Sequence, residues 1–203
     1  MLRTGLFFAL VTFLATSLAL AQESRSELGL QGSGFFTNPT SGNSVTSEST
    51  TKTVGFLINY RYHLSHGLSL EGVYGYDRNT EKYILSSANF RIPSNNHQFT
   101  FDLVQTLQSF GKARFSPYIL VGGGAIVFCP ANTQFNSLSG SQTQPKGAFV
   151  YGGGLNYALM KRVSLRFEYR GLLYSAPDFR FGGLNTNSVT HSAQPSVGLS
   201  FRF

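Results

Sequence analysis

The stretch VSLRFEYRGLLY, Val163 to Tyr174, decides how this chain is read. Val163, Leu165, Phe167, Tyr169 and Leu173 alternate with Ser164, Arg166, Glu168 and Arg170. Successive side chains of a strand point to opposite faces, so a period of two gives one apolar face and one charged face. Such a strand suits either half of a soluble sandwich or the wall of a barrel with lipid outside and a polar lumen inside. The rest of the chain decides between them.

Outward from this stretch the same alternation recurs at 27–36, 53–64, 68–77, 97–107, 148–159 and 192–203, each run then broken. A further strand is expected at 115–128, where both faces are apolar or Gly and the register stays open. That makes eight. The breaks alternate in length: long and rich in Ser, Thr, Asn, Gly and Gln at 37–52, 78–96, 129–147 and 175–191, short at 65–67, 108–114 and 160–162. Polar links of that composition read as solvated loops. Four long loops and three short turns are what an eight-stranded up-and-down barrel requires when both ends of the chain lie on the short-turn side.

Composition and the first residues settle the surroundings. Charged residues are 12% of the chain, about half the ~25% of ordinary globular domains. There are 22 Gly, 19 Phe and 10 Tyr. Arg3, the apolar run 6–18 and Ala19-Leu20-Ala21 make a secretory signal, with cleavage expected after Ala21. Its apolar run is short of the ~20 residues of a spanning helix, and no longer run follows. The expected division is a cleaved signal at 1–21 and one barrel domain at 22–203. Tyr60, Tyr62 and Tyr157 fall near the short-turn ends of their strands, and Tyr74, Tyr76, Tyr169 and Tyr174 near the long-loop ends. Two bands of amphipathic rings match the two bilayer interfaces. Hydrocarbon offers no hydrogen-bond partners, so the strands must close on themselves. The fold class expected is therefore all-β, an eight-stranded antiparallel up-and-down transmembrane β-barrel around a polar interior.

The inward faces of these strands hold Arg61, Glu71, Asp77, Asp102, Arg166, Glu168 and Arg170. Eight strands leave an interior just wide enough for side chains to fill, and charges there must pair. These seven are expected to form a structural ion-pair network across the lumen, with Arg202 nearby. A narrow ion path through them is the sharper alternative. A porin is not expected, since an aqueous channel needs about 16 strands. The net charge of +7, +6 without Arg3, does not point to nucleic acid in an exported chain. Its expected counter-charge is an anionic outer surface. The single Cys129 excludes an internal disulfide.

Other motifs carry little chemistry. Gly122-Gly123-Gly124 and Gly152-Gly153-Gly154 lack the Lys-Ser/Thr and following helix of a phosphate loop. They suit close packing, or a flat patch on the wall between neighbouring strands. His63, His66, His97 and His191 are too scattered for a metal site, and His191-Ser192 has no assignable acid partner. No catalytic, cofactor or metal residues are expected. A lipid-modifying enzyme is the weakest of the three function classes, behind a surface-interaction scaffold and a small passive channel.

The closing segment 196–203, the stretch 117–124 and the opening after Ala21 resemble the OmpA/Opa-like family of small outer-membrane β-barrel proteins. The resemblance runs from about Glu27 to Phe203. It implies residence in the bacterial outer membrane, with lipid and lipopolysaccharide around the wall. It also implies that Leu199, Phe201 and Phe203 form the C-terminal signal read by the outer-membrane assembly machinery. Some relatives carry a peptidoglycan-binding domain after the barrel; this chain ends on its last strand, and that activity is not expected. The four polar loops are the expected recognition surface.

Overall fold

The computed structural model describes residues 25–42, 45–49, 53–85, 89–107, 114–131, 142–180, 182–184 and 186–203. The expected signal segment lies outside them. The strands are β1 (Ser26–Thr37), β2 (Thr40–Gly42), β3 (Val45–Ser49), β4 (Thr53–His63), β5 (Leu68–Leu85), β6 (Asn89–Thr106), β7 (Phe115–Pro130), β8 (Gln144–Ala158), β9 (Val163–Ser175) and β10 (Val189–Arg202).

Eight of them close a ring. β1, β4, β5, β6, β7, β8, β9 and β10 pair antiparallel in that order, and β10 pairs back onto β1. The register runs from Glu27 to Arg61, Glu71, Asp102, Gly122, Val150, Leu172 and Ser192, and returns to β1 at Thr37. The ring therefore closes with a stagger of ten residues, which tilts the strands and leaves no barrel edge unpaired. Along β1 the alternation is strict: Leu28 and Leu30 are 45% and 59% exposed, Glu27 and Gln31 only 3% and 2%. A wall whose greasy side chains face outward and whose polar ones are buried is the inverse of a soluble sandwich. The open register at 115–128 is fixed with Tyr118, Leu120, Ile126 and Phe128 inside and Ile119 and Val121 outside.

Five expectations need correction. The link 78–96 is not a solvated loop: β5 and β6 run past the rings of Tyr74, Tyr76 and His97 as a paired hairpin. Polar residues on both faces masked its period, yet Asn79, Glu81 and Tyr83 point inward and are buried. Within 37–52, β2 and β3 form a small hairpin, and β3 adds to the β5 extension. The interior is not polar throughout, because towards the outer end Phe35, Tyr83, Ile92, Ile126, Phe128 and Leu172 pack together. Tyr174, expected in the outer band, belongs to this core, its hydroxyl 2.8 Å from Ser192.

The link 175–191 also departs from expectation, because its described residues fold back into the outer mouth. Phe179 is fully buried against Tyr83 and Phe128, and Leu184 is buried beside them. The Tyr83 hydroxyl donates to the Pro177 carbonyl at 2.6 Å. The Gln144 amide oxygen accepts from the backbone N–H groups of Asp178 and Phe179 at 3.0 and 3.1 Å. These ties hold Phe179 and Arg180 at φ of 48° and 64°, left-handed conformations that cost about 1–3 kcal/mol each.

The extension contains a buried acid to which no cation is bonded among the described residues. Glu81 accepts from Asn79 at 2.9 Å and from the Ser47 hydroxyl at 3.3 Å. Burial pushes its carboxyl up to about 7; Asp77 adds to the rise and the Ser47 bond opposes it. Unfolded, the same acid ionises near 4.5. The opened segment therefore releases its proton first, and the extension weakens as pH climbs from 4.5 to 7, by about 3 kcal/mol in all. Amide exchange at 79–84, corrected for intrinsic rate, should show less protection at pH 7.5 than at pH 5. Glu81→Gln should remove that difference, and an unchanged difference in this variant would exclude Glu81 as its source.

Candidate functional site

Below the apolar core, a belt of charge fills the barrel. Its foundation is one hydrogen-bonded row of the sheet, in which Glu27, Arg61, Glu71 and Asp102 are successive partners on β1, β4, β5 and β6. β9 supplies Arg166, Glu168 and Arg170 at every second position, so all three side chains enter the lumen from the opposite wall. Glu71 stands at the centre. It bonds Arg61, lies 3.3 Å from Arg166 and 4.0 Å from Arg170. Arg170 donates to Asp102 at 2.6 Å and to Thr100 at 2.8 Å, and stands 3.4 Å from Glu168. Arg166 bonds Glu27 and donates to Asn156 at 3.0 Å. Arg61, Glu71, Asp102, Arg166 and Arg170 are all within 1% of complete burial.

Six of the seven residues expected in the lumen network thus meet in one cluster. Asp77 does not join them. It lies nearer the outer end and accepts a bond from Asn96 at 2.8 Å. Glu27, at the start of the run 27–36, is not among the expected members, because cross-lumen partners depend on the stagger. Sequence reasoning missed Tyr118 altogether. The Tyr118 hydroxyl donates to Glu168 at 2.6 Å, and its ring lies 4.5 Å from the Arg61 guanidinium carbon and 5.8 Å from that of Arg166. β7 has no alternation that marks Tyr118 as inward.

The glycine triplets are not partners of each other. Gly122 to Gly124 pair with Val150, Phe149 and Ala148, and Gly152 to Gly154 with Leu120, Ile119 and Tyr118, so no joint flat patch forms. They make room instead. A Cβ on Gly154 would lie 2.4 Å from the Tyr118 oxygen, and one on Gly122 would lie 2.3 Å from the Asp102 carboxylate. Gly154→Ala should push the Tyr118 hydroxyl off Glu168 and also press on the Phe167 carbonyl oxygen, 2.5 Å from the new Cβ, so it should cost more than the about 1–3 kcal/mol of an unpaired buried acceptor. Tyr118→Phe, which loses only the hydrogen bond, should cost about 1–3 kcal/mol. Urea unfolding checks the order, and a Gly154→Ala loss no larger than that of Tyr118→Phe would show that the backbone yields without cost.

The remaining expected features are placed as follows. Leu199 and Phe201 face outward, 39% and 48% exposed, and Phe203 is half-buried. His191 and Ser192 point to opposite faces: the histidine meets the Tyr151 hydroxyl at 3.0 Å, and the serine is buried between Thr37 and Tyr174. Cys129 is half-buried near the end of β7. No group of three or more His, Cys, Asp or Glu among the described residues could hold a metal ion.

A family model described as the outer membrane protein beta-barrel domain matches residues 6–203. No curated protein matches by sequence. Among solved structures, the outer membrane protein OprG from Pseudomonas aeruginosa superposes with a TM-score of 0.63 at 10% identity, over 88% of this chain and 95% of that one. Neisserial surface protein A gives 0.58 at 14% identity, over 88% and 97%. Ail, the attachment invasion locus protein of Yersinia pestis, gives 0.51 at 16% identity, over 88% and 97%. At these identities the likeness is one of fold.

Proposed function

Because the chain belongs to the outer membrane protein beta-barrel domain family, a bacterial outer-membrane family, we propose that it is a non-conducting, non-enzymatic anchor that presents a rigid extracellular surface. The sealed lumen carries this reading. A belt of buried ion pairs closes the middle of the barrel, and the apolar core with Phe179 closes its outer end. A solute would have to break pairs that no bulk water can solvate. The surface on offer is the β5–β6 extension, the β2–β3 hairpin beside it and the folded link 176–188. Paired strands hold such a surface in one shape, which suits recognition better than free loops do.

Opposite-facing His191 and Ser192 supply no nucleophile–base pair, which supports the non-enzymatic part. We also propose that Leu199, Phe201 and Phe203, outward on the closing strand, are the segment read by the assembly machinery.

The test is electrical. Purified protein in planar bilayers should give no unitary conductance steps at neutral pH. A steady, reproducible pore would favour the second reading, a narrow cation path. One observation supports that path: Glu71 Oε1 and Asp102 Oδ1 have no hydrogen-bond partner among the described residues.

A further inference from the structure

We infer that the periplasmic mouth of the barrel is an anion-binding vestibule that takes a phosphate group. At this end the described side chains leave a cavity of about 760 Å3. Four separate segments point cations or imidazoles into it: Arg25 before β1, His63 and His66 around the β4–β5 turn, Lys161 and Arg162 in the β8–β9 turn, and Arg202 at the end of β10. One acid lines it, Glu27: one carboxylate oxygen bonds Arg166, and the other lies 3.4 Å from His63 and 3.6 Å from Arg202, so a single carboxylate is shared among three basic groups.

Sequence gives an independent sign of the same asymmetry. The turns at 64–67, 107–114 and 159–162 contain no Asp or Glu, yet hold His66, Lys112, Arg114, Lys161 and Arg162. The chain's other described acids lie in the mid-lumen belt or on the extracellular side.

Like charges gathered round a concave, low-dielectric wall repel one another and focus a positive potential into the hollow. Lys161 and Arg162 are exposed in a tight turn at its rim. An anion with several oxygens relieves the repulsion, and guanidinium forks match phosphate oxygens in pairs. Two sources meet this mouth in the periplasm: phosphate on small solutes, and the phosphates of anionic phospholipid in the inner leaflet beside the turns. Both offer the same group.

The experiment uses the mature protein in nanodiscs of phosphatidylcholine, with Lys161→Gln/Arg162→Gln as the rim variant and Lys82→Gln/Arg91→Gln as an equal loss of charge on the extracellular side. Calorimetric titration with inorganic phosphate, against chloride at matched ionic strength, reads the solute source. Urea unfolding in nanodiscs with and without phosphatidylglycerol reads the lipid source. Binding or stabilisation in either arm, weakened at least tenfold or abolished in the rim variant and unchanged in the control, is expected. Phosphate indistinguishable from chloride together with no lipid effect would overturn the inference, as would equal responses of the two variants. Should the rim variant not fold, phenylglyoxal labelling of the unmutated protein decides: phosphate or phosphatidylglycerol should shield Arg162 and Arg202, and labelling unchanged by both would overturn it.

Discussion

Glu71→Gln is expected to cost the barrel about 3–5 kcal/mol of unfolding free energy, the largest effect of any single substitution in the lumen. Three arginines converge on this one carboxylate, and none of the four groups reaches water. The amide keeps the shape and removes the charge, so the guanidiniums face one another with Glu27, Asp102 and Glu168 as their remaining counter-charges. The unboiled protein's fast band on a denaturing gel reports folding, and its loss along a urea series in lipid vesicles gives the number. A loss below about 1 kcal/mol would mean the arginines are held by their other partners. Arg61→Met added to Glu71→Met should cost much less than the two changes summed, because a buried pair is replaced by packed apolar groups.

Phe179→Ala is expected to release the plug and leave the barrel standing. Its ring packs edge-on against Tyr83 and Phe128, both 6.4 Å away between ring centres. Removing a buried phenyl costs about 3–5 kcal/mol in a fixed core. The strain at φ 48° is released on opening with or without the ring and cancels, and an end-of-barrel link can settle into part of the gap, so the low end of that range, about 3 kcal/mol, is expected. That corresponds to roughly a hundredfold rise in the open population of the link. Protease cleavage within 176–188 should accelerate accordingly, with the gel shift of the barrel unchanged. Cleavage at the unmutated rate would show that the Gln144 and Tyr83 hydrogen bonds hold the segment without the ring.

These results bear on what the chain disclosed before its structure. Eight strands, and the faces of all but the one at 115–128, were legible because lipid on one side and a filled lumen on the other force a strict period of two, as in Val163 to Tyr174. The ends of β5 and β6 were not, because past the membrane neither face has to be greasy, and Arg78, Thr80 and Lys82 look like loop. The membership of the charge belt was legible wherever an ionisable residue fell on a lumen face. Which partner each takes was not, since the bonds of Arg166 to Glu27 and of Arg170 to Asp102 follow from a stagger of ten residues that sequence does not display. Tyr118 and Phe179 were invisible for another reason: β7 carries apolar side chains on both faces, and an aromatic in a polar link gives no hint that the link turns inward.

The junction of β1 with β10 also sets a schedule. The seam joins Glu27 to Arg202, so the first strand waits for nearly the last residue before it has a neighbour on that side. Until then β1 has a neighbour only in β4, and its other flank is unpaired. Pairing across so many residues is slow. The barrel cannot close before its final strand is in place, so loss of β10 would open the whole ring.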